Sequence, residues 1–417
     1  MTSTASNLVR RHFATSIEAA SAFFQANEDQ IEHACRHMAA RFAASGALYV
    51  FGTGAQATDA HHVAVEFVHP VIVGKRALPA IALTSDVAVL TGALRQSPIN
   101  AFASAIATLG GPADIAFALC SGHIEPPIRA ALAQARARGM LTLAVGPRES
   151  LPAADILFGI DQQNALIAQE VQETLYHVLW ELVHVFFDAM DAPNPFGFPA
   201  LSREERQIRA SQDVRQSTRQ KCQDICALRQ ALSASTADWI ATAACAVADR
   251  VAAGGRILAF GNGGSATDAQ DVAADCMFPA LDHGRSIPAL ALTNDVGVLT
   301  AVANDVGYEH VFARQIEALG RPGDVALGFS TSGNARNVVR ALEVARARGL
   351  LTVAYSGYDG GEVARLRAVD YCLVAPSDYV PRIQEAHATA WHALLCVVHS
   401  ELTPPATSGK RALETVP

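Results

Sequence analysis

The fold is decided by the stretch Phe260-Gly261-Asn262-Gly263-Gly264-Ser265-Ala266-Thr267-Asp268-Ala269-Gln270. An apolar run precedes it at residues 256–260 and an apolar-periodic segment follows at 272–277, which predicts a buried strand, a glycine turn and a helix. Glycines allow the backbone to turn sharply and approach a ligand, and the first N–H groups of a helix attract an anion. Such a stretch is often only a turn, so by itself it leaves an anion site and a simple turn equally open.

The stretch occurs twice in the chain. Residues 51–60 match 260–269, with Gly52 and Gly261 separated by 209 positions (261 − 52). The spacing is 210 for the match between 135–139 and 345–349. It becomes 215 where Gln169 and His177 match Gln384 and His392. This drift indicates duplication of a whole domain, with small deletions in the first copy, and not a solenoid.

Each copy reads as an α/β domain with a parallel sheet and helices on both faces. Strands are predicted at residues 80–83, 115–119 and 141–145 of copy one, and at 289–292, 325–329 and 351–354 of copy two, alternating with helices. A long helical segment begins each copy (7–45 and 207–254), and an apolar helix ends it (165–188 and 382–402). We therefore predict domains at 1–190 and 207–402, a Pro- and Gly-rich linker at 191–206 and a disordered tail at 403–417.

Composition narrows the class of protein. The chain has 417 residues, of which 50% are hydrophobic and 17% charged, enough for two large cores. Its net charge of −8 argues against nucleic acid as a partner. No apolar run reaches the roughly 18 residues of a membrane span, and no secretory signal begins the chain. The eight cysteines form no CxxC pair, so we expect reduced thiols and a cytoplasmic location.

A second loop of the same kind follows a strand of copy two, at Phe329-Ser330-Thr331-Ser332-Gly333-Asn334. Hydroxyl and amide donors at the carboxyl end of a strand suit a phosphate monoester. The alternative is a cluster of Ser and Thr helix caps. Because two such loops follow two strands of one sheet, we favour the phosphate site.

These motifs resemble the sugar isomerase (SIS) family, twice over and along nearly the whole chain. The combination of Gly-Asn-Gly-Gly-Ser, Ser-Thr-Ser-Gly-Asn and a late Arg-Ile-Gln-Glu-x-His is most similar to the phosphoheptose isomerase branch. The resemblance implies two tandem SIS domains, each a flavodoxin-like three-layer sandwich, and a sugar phosphate as the ligand. It also implies an enzyme that interconverts sedoheptulose 7-phosphate and a heptose 7-phosphate.

In that branch, a His and a Glu on the helix after the glycine loop, and a Gln and a His on the last helix, hold a divalent ion of the zinc type. Copy one has all four, which are His62, Glu66, Gln169 and His177, whereas copy two has Asp271 and Asp275 in place of the first two. His62 and Glu66 share one helix face because they are four residues apart. Taken alone, such a pair is more often a surface ion pair.

The phosphate-binding motifs are altered in copy one, whereas copy two keeps them. In copy one Gln56 replaces the serine, and Cys120-Ser121-Gly122-His123 is one residue shorter than its counterpart. The resemblance implies sites built between subunits, so we predict one composite site, with the metal held by copy one and the phosphate by copy two. The predicted phosphate and substrate residues are Asn262, Gly263, Gly264, Ser265, Asp295, Ser330, Thr331, Ser332 and Asn334. Asp295 and its counterpart Asp86 could equally be helix caps.

Aldose–ketose isomerisation needs a base at carbon, a proton shuttle at the oxygens and a cation for the oxyanion. By the resemblance, Glu66 is the base and His177 the shuttle. Two departures are Pro70 and Pro279, where the branch has an Arg, so the substrate need not be a heptose. An alternative is a non-catalytic sugar-phosphate-binding or scaffold protein of the replication-initiation type, whose Gly-Tyr-Asp-Gly-Gly-Glu is matched at 357–362. Four-subunit assemblies in the family imply a homodimer of this fused chain.

Overall fold

The structure is a computed structural model that describes residues 2–72, 74–120, 122, 125–191, 202–280 and 284–403. Most of the predicted linker and all but the first residue of the predicted tail therefore lie outside the described residues. The same holds for Ser121 and His123 of the short loop in copy one.

Two sheets of five parallel strands form the two halves of the chain. The first has the order β2-β1-β3-β4-β5, and the second has the matching order β10-β9-β8-β6-β7. The strands of the first sheet are β1 (Leu48–Phe51), β2 (Ala80–Ala82), β3 (Ile115–Leu119), β4 (Leu141–Pro147) and β5 (Ile156–Ile160). Those of the second are β6 (Ile257–Phe260), β7 (Ala289–Ala291), β8 (Val325–Ser330), β9 (Leu351–Gly357) and β10 (Tyr371–Ala375). The predicted fold class and duplication are confirmed. The edge strands β5 and β10 were not predicted.

Helices cover both faces of each sheet. In the first half they are α1 (Thr2–Ala43), α2 (Ala55–Val68), α3 (Val87–Gln96), α4 (Ala103–Leu109), α5 (Pro126–Ala137) and α6 (Ala165–Asp191). The second half has α7 (Arg203–Ala252), α8 (Gly264–Met277), α9 (Val296–Asp305), α10 (Val311–Leu319), α11 (Arg336–Ala347), α12 (Gly361–Arg365) and α13 (Val380–Leu402). The fully buried strands β1, β3, β6 and β8 explain why their sequences read as continuous apolar runs.

The two long first helices tie the halves together. The start of α1, with Val9 and Phe13, is buried in the core of the second half, and the start of α7, with Val214, is buried in the core of the first. By length and composition alone α7 could cross a membrane, since one window has a mean hydropathy of 1.2. In the structure α7 packs against α1, α6 and α13, and 44% of the residues in this window are buried.

The loops that carry the glycine and serine motifs of copy two lie at a switch in strand order. The chain runs from β6 outward to β7 and then returns to β8 on the other side of β6. The loops after β6 and β8 therefore flank a crevice at the carboxyl ends of the strands, which is where ligands bind in open parallel sheets.

Candidate active site

The two copies face each other through α2 and α8. Two side chains at equivalent positions, His61 and Gln270 (270 − 61 = 209), contact one another at 3.1 Å between Nδ1 and Oε1. Thr58 of α2 also donates a hydrogen bond to Asp271 of α8. Contact between equivalent positions is the mark of an approximate two-fold relation, and it brings the ligand-bearing helices of both copies into one buried region.

Three of the predicted residues meet in this region. The Nε2 atoms of His62 and His177 are 3.4 Å apart, and Oε1 of Glu66 is 3.8 Å from His62 Nε2. All three side chains are at most 2% exposed. The fourth member is not Gln169 but Gln384 of copy two, whose Nε2 is 3.2 Å from His62 Nε2. We call these four residues the imidazole centre.

Gln169 instead lies on the other side of the two-fold relation. Its amide donates a hydrogen bond to Asp271, at 3.1 Å, and Asp271 is the counterpart of His62. The physical reason is the length of the last helix: eight residues separate Gln169 from His177, which is about 12 Å along a helix axis. The helix α6 therefore passes both regions, giving its histidine to one and its glutamine to the other.

Neighbouring side chains orient both imidazole rings. Nδ1 of His62 lies 3.0 Å from the Tyr176 hydroxyl, which itself donates to Asp59 at 3.2 Å. Nδ1 of His177 lies 2.9 Å from a carboxylate oxygen of Glu385. With each Nδ1 proton held in this way, both Nε2 lone pairs point to the space between the rings, the arrangement usual for metal-bound histidine. Tyr176 and Glu385 were not predicted; the recurrence of Glu170 and Glu385 at a spacing of 215 is the signal that marks the second of them.

The imidazole centre fits a zinc-type ion. Two nitrogen ligands of tetrahedral zinc lie about 3.3–3.4 Å apart, given Zn–N bonds of about 2.0–2.1 Å. The spacing of His62 and His177 agrees with this value. Two buried oxygens also lack a hydrogen-bond partner, Oε2 of Glu66 and Oε1 of Gln384. Half a turn of the Gln384 amide would direct that oxygen to the centre, so four ligands are available without moving the backbone.

The pKa values of His62 and Glu66 also favour metal binding and proton transfer at the imidazole centre. Burial, and next the charge of His177, lower the pKa of His62 well below its usual value, which keeps this imidazole neutral. Burial also raises the pKa of the Glu66 carboxyl. A neutral imidazole binds a metal ion, and a carboxylate with a raised pKa is a better general base than an exposed one.

The glycine loop of copy two touches this centre of copy one. A Cβ at Gly264 would lie 2.6 Å from His62 Nε2 and closer still to the Gln384 amide, so a larger residue would have to displace both side chains. Gly263 caps α8 with a φ of 58°, a conformation that also favours glycine. The backbone N–H groups at the start of α8 thus lie beside the imidazoles. In copy one, the position equivalent to Gly264 is Ala55, and in copy two the position equivalent to His62 is the shorter Asp271.

The remaining predicted phosphate residues lie in the crevice. Asn262 and Asn337 exchange amide hydrogen bonds of 2.8 and 2.9 Å, which join the loop after β6 to α11. In the loop after β8, Ser332 accepts a hydrogen bond from the N–H of Asn334 at 3.2 Å. The hydroxyls of three further residues make no hydrogen bond to another described residue and are available to a ligand; they are Ser265, Ser330 and Thr331.

Asp295 serves a structural role. It caps α9 by accepting a hydrogen bond from the N–H of Val298 at 2.9 Å, as Asp86 caps α3 in copy one. The helix-cap alternative therefore describes both carboxylates, although Asp295 is exposed and its second oxygen remains open to solvent.

A second group of buried ligand-type residues is internally satisfied. Glu170 lies 2.7 Å from His12 Nε2 and 2.8 Å from His392 Nδ1, and it also accepts a hydrogen bond from Thr389 at 2.7 Å. Burial alone would lower the pKa of both histidines, but Glu170 raises that of His12 to about 9, and Asp275 and Glu170 raise that of His392 to about 10. This is a buried ion-pair network between the copies and not a free metal site.

Comparison with known proteins identifies the repeated unit. The SIS domain family model matches residues 11–146 and again 222–357, which is more than half of the chain. Phosphoheptose isomerase of Paramagnetospirillum magneticum is 50% identical over 159 residues, 38% of this chain and 82% of the relative. Phosphoheptose isomerase of Geobacter sulfurreducens is 46% identical over 175 residues, 42% of this chain and 92% of the relative.

A solved structure reproduces the arrangement of both halves. The C-terminal domain of glucosamine-fructose-6-phosphate aminotransferase from Francisella tularensis aligns with a TM-score of 0.61 over 94% of each chain, at 11% identity. At that identity the similarity concerns the fold alone. It shows that this tandem pairing of two parallel sheets also occurs in another protein.

Proposed function

Because this chain belongs to the SIS domain family, as two domains in tandem, we propose that it is a sugar-phosphate isomerase with one composite active site. We propose further that it is a metal-dependent aldose–ketose isomerase and that its substrate is sedoheptulose 7-phosphate. The observation that carries the proposal is the contact of the Gly264 backbone with His62 and Gln384. It supports a site in which the proposed anion-binding loop of copy two lies directly against the imidazole centre.

Each copy would bind a different part of the substrate, according to the side chains that it supplies. The phosphate would bind at the carboxyl ends of β6 and β8, where Ser265, Ser330 and Thr331 offer hydroxyl donors beside free backbone N–H groups. The sugar carbonyl end would lie at the imidazole centre. The relatives that act on a heptose phosphate support this choice of substrate.

Proton transfer is assigned to two side chains of copy one. Oε2 of Glu66 has no partner and is free to take the proton from carbon, while Oε1 faces His62. His177 exchanges a proton with the substrate oxygens at Nε2, and Glu385 at its Nδ1 stabilises the charged ring. Burial of both groups removes competing water.

The residues that would hold the ion are His62, Glu66 and Gln384, with Gln384 in the place predicted for Gln169. His177 keeps its Nε2 for the proton, because a nitrogen bound to the ion cannot exchange one. A bound zinc-type ion would polarise the substrate carbonyl and stabilise the negative charge that develops on its oxygen.

The assay is turnover of sedoheptulose 7-phosphate by the full chain, followed by 13C NMR, together with zinc content by mass spectrometry. Glu66→Gln should lower kcat by roughly 10²–10⁴-fold, because it removes a general base while keeping the shape of the side chain. The matched control is Asp275→Asn at the equivalent position of copy two, for which we expect kcat within a few-fold of wild type. His62→Gln should reduce the zinc content.

Unchanged turnover in Glu66→Gln would refute the assigned base. Absence of turnover in the wild-type chain, with sugar phosphate still bound, would instead favour the non-catalytic alternative.

A further inference from the structure

An open groove of about 950 Å³ lies where the start of α1, the start of α6 and the end of α13 meet. We call it the thiol groove, because Cys396 of α13 is in its wall and is only partly buried. None of its described wall residues belongs to the imidazole centre or to the proposed phosphate site. The groove is therefore distinct from the proposed active site.

Behind Cys396 lie an imidazole and a carboxylate. Sγ of Cys396 is 3.9 Å from Nδ1 of His12, and Nε2 of His12 is 2.7 Å from Oε1 of Glu170. Glu170 is fully buried and His12 is 7% exposed, so the carboxylate holds the ring with its other nitrogen toward the sulfur. A thiol, an imidazole and a third group that orients the imidazole form the arrangement that activates a nucleophilic cysteine.

The His12 imidazole is charged at neutral pH. Burial acts to lower its pKa, but the Glu170 carboxylate and the hydrogen bond with Cys396 raise it to about 9. An imidazolium stabilises a neighbouring thiolate, which is the reactive form of cysteine.

The equivalent positions in the other half of the chain hold an ordinary ion pair. Lys221 is the counterpart of His12 (221 − 12 = 209). Glu181 is the counterpart of Cys396 (396 − 181 = 215). Nζ of Lys221 and Oε1 of Glu181 are 2.6 Å apart. An imidazole and a thiol thus replace an ammonium and a carboxylate, which supports a charged pair of His12 and Cys396.

A tyrosine covers the ion pair but has no equivalent in the thiol groove. The Tyr379 hydroxyl donates to Glu181, and Nζ of Lys221 lies 5.3 Å from the centre of the tyrosine ring. The counterpart of Tyr379 is Asn164 (379 − 164 = 215), which lies in the groove wall. Because asparagine does not fill the space of a tyrosine ring, Cys396 stays accessible.

The wall of the thiol groove favours an anionic ligand. Arg11 is exposed in this wall and forms no ion pair with another described residue, and no carboxylate is among the described wall residues. His399, also in the wall, has an Nε2 atom without a hydrogen-bond partner. A positive charge without a nearby carboxylate attracts an anionic reagent.

We propose that Cys396 is the nucleophile of a second site, which forms a mixed disulfide with a small disulfide that carries a carboxylate. The Cys396 thiolate attacks one sulfur of this disulfide, so a new sulfur–sulfur bond forms and the original one breaks. The departing thiolate takes the proton of His12 and leaves as a free thiol. Cys396 is thereby oxidised and the leaving sulfur is reduced.

The test compares two small disulfides on the reduced full-length protein, the anionic dithiodiglycolate and the cationic cystamine. Peptide mass spectrometry follows Cys396, and each rate is divided by the rate of the same cysteine in the urea-unfolded chain, which removes the intrinsic reactivity of the reagent. We expect the normalised rate to be about tenfold higher for the anionic disulfide. Equal normalised rates, or no mixed disulfide at Cys396 in the native protein, would overturn the proposal.

Two pairs of variants locate the cause. Arg11→Gln should remove most of the preference for the anionic reagent, whereas Arg10→Gln, which changes a neighbouring arginine paired with Asp238, should keep it. His12→Gln should slow both reagents about tenfold, because the thiolate loses its counter-ion. Lys221→Gln at the equivalent position should leave the reaction of Cys396 unchanged.

Circular dichroism establishes that each variant is folded. A folded His12→Gln chain that reacts like wild type would refute the role of the imidazole. The measurements on the wild type and on Arg11→Gln decide the proposal even if His12→Gln does not fold, since Arg11 is an exposed residue.

Discussion

Gly264 shows how one residue links the two copies. Its backbone lies so close to His62 and Gln384 that a single methyl group would displace both. We predict that Gly264→Ala lowers zinc content and reduces kcat/KM by at least 100-fold, although the change is only one carbon atom. Zinc analysis and the isomerase assay would measure both effects.

The control for this substitution is Ala55→Gly at the equivalent position of copy one. It removes a methyl group at the start of α2, and the residue equivalent to His62 in copy two is Asp271. Its effect should be limited to a helix-stability loss of roughly 0.5–1 kcal/mol, with unchanged zinc content. If Gly264→Ala behaves in the same mild way, the assignment of the composite site is wrong.

The buried residues around Glu170 give the chain a predictable pH dependence. The pKa of His12 is raised from 6.5 to about 9 and that of His392 to about 10, so their contribution to stability is complete below about pH 6.5. It is lost as the pH rises through 9 and 10. We therefore predict that the free energy of unfolding decreases between pH 7 and 10, by at most about 1.4 kcal/mol per pH unit for each group.

Chemical denaturation at a series of pH values would measure this slope. Glu170→Gln provides the control, because it removes the carboxylate that raises both pKa values. The variant should be less stable at pH 7 and should lose the part of the slope due to His12, while His392 keeps its contact with Asp275. A slope that is identical in the variant would show that other groups cause it.

At the level of elements, the first part of α1 packs in the core of the second half, and the first part of α7 packs in the core of the first half. Phe13 on α1 is fully buried among side chains of the second half. We predict that Phe13→Ala destabilises the chain by about 3–5 kcal/mol, the usual cost of removing a buried aromatic ring. Because α1 also packs in the first core, both halves should unfold in one shifted transition.

Arg10→Ala is the matched control on the same helix. Arg10 pairs with Asp238 at 2.9 Å on the surface, where ion pairs contribute little, so its denaturation midpoint should hardly change. Two separate transitions in Phe13→Ala would contradict the picture of one shared core.

For the whole molecule, the structure places both halves of the proposed site within a single chain. Gly264 of copy two and Glu66 of copy one flank the same imidazole centre. Co-expression of Gly264→Ala with Glu66→Gln should therefore restore no activity, because every chain carries one damaged half-site. The measurement is turnover by the mixed preparation, with a wild-type and Glu66→Gln mixture as the positive control.

Restoration of about a quarter or more of wild-type turnover would mean that the site forms between chains. The homodimer expected from the sequence stays a prediction, and light scattering of the full chain tests it. The contacts described here need no second chain to bring the copies together.

Much of the architecture was predictable from local sequence. The apolar runs, glycine turns and periodic helices of each copy determined two parallel sheets, since buried strands and helix starts have local signatures. The pairing of His62 with Glu66 also followed from the sequence, because residues four apart share a helix face. The edge strands β5 and β10 have no such distinct signature.

Only the tertiary structure decided which copy supplies each remaining group. Gln384 and not Gln169 reaches His62, and Glu385 orients His177, because α6 and α13 each pass both sides of the two-fold relation. A repeat fixes what each copy contains, but the contact between copies depends on packing that no local pattern encodes.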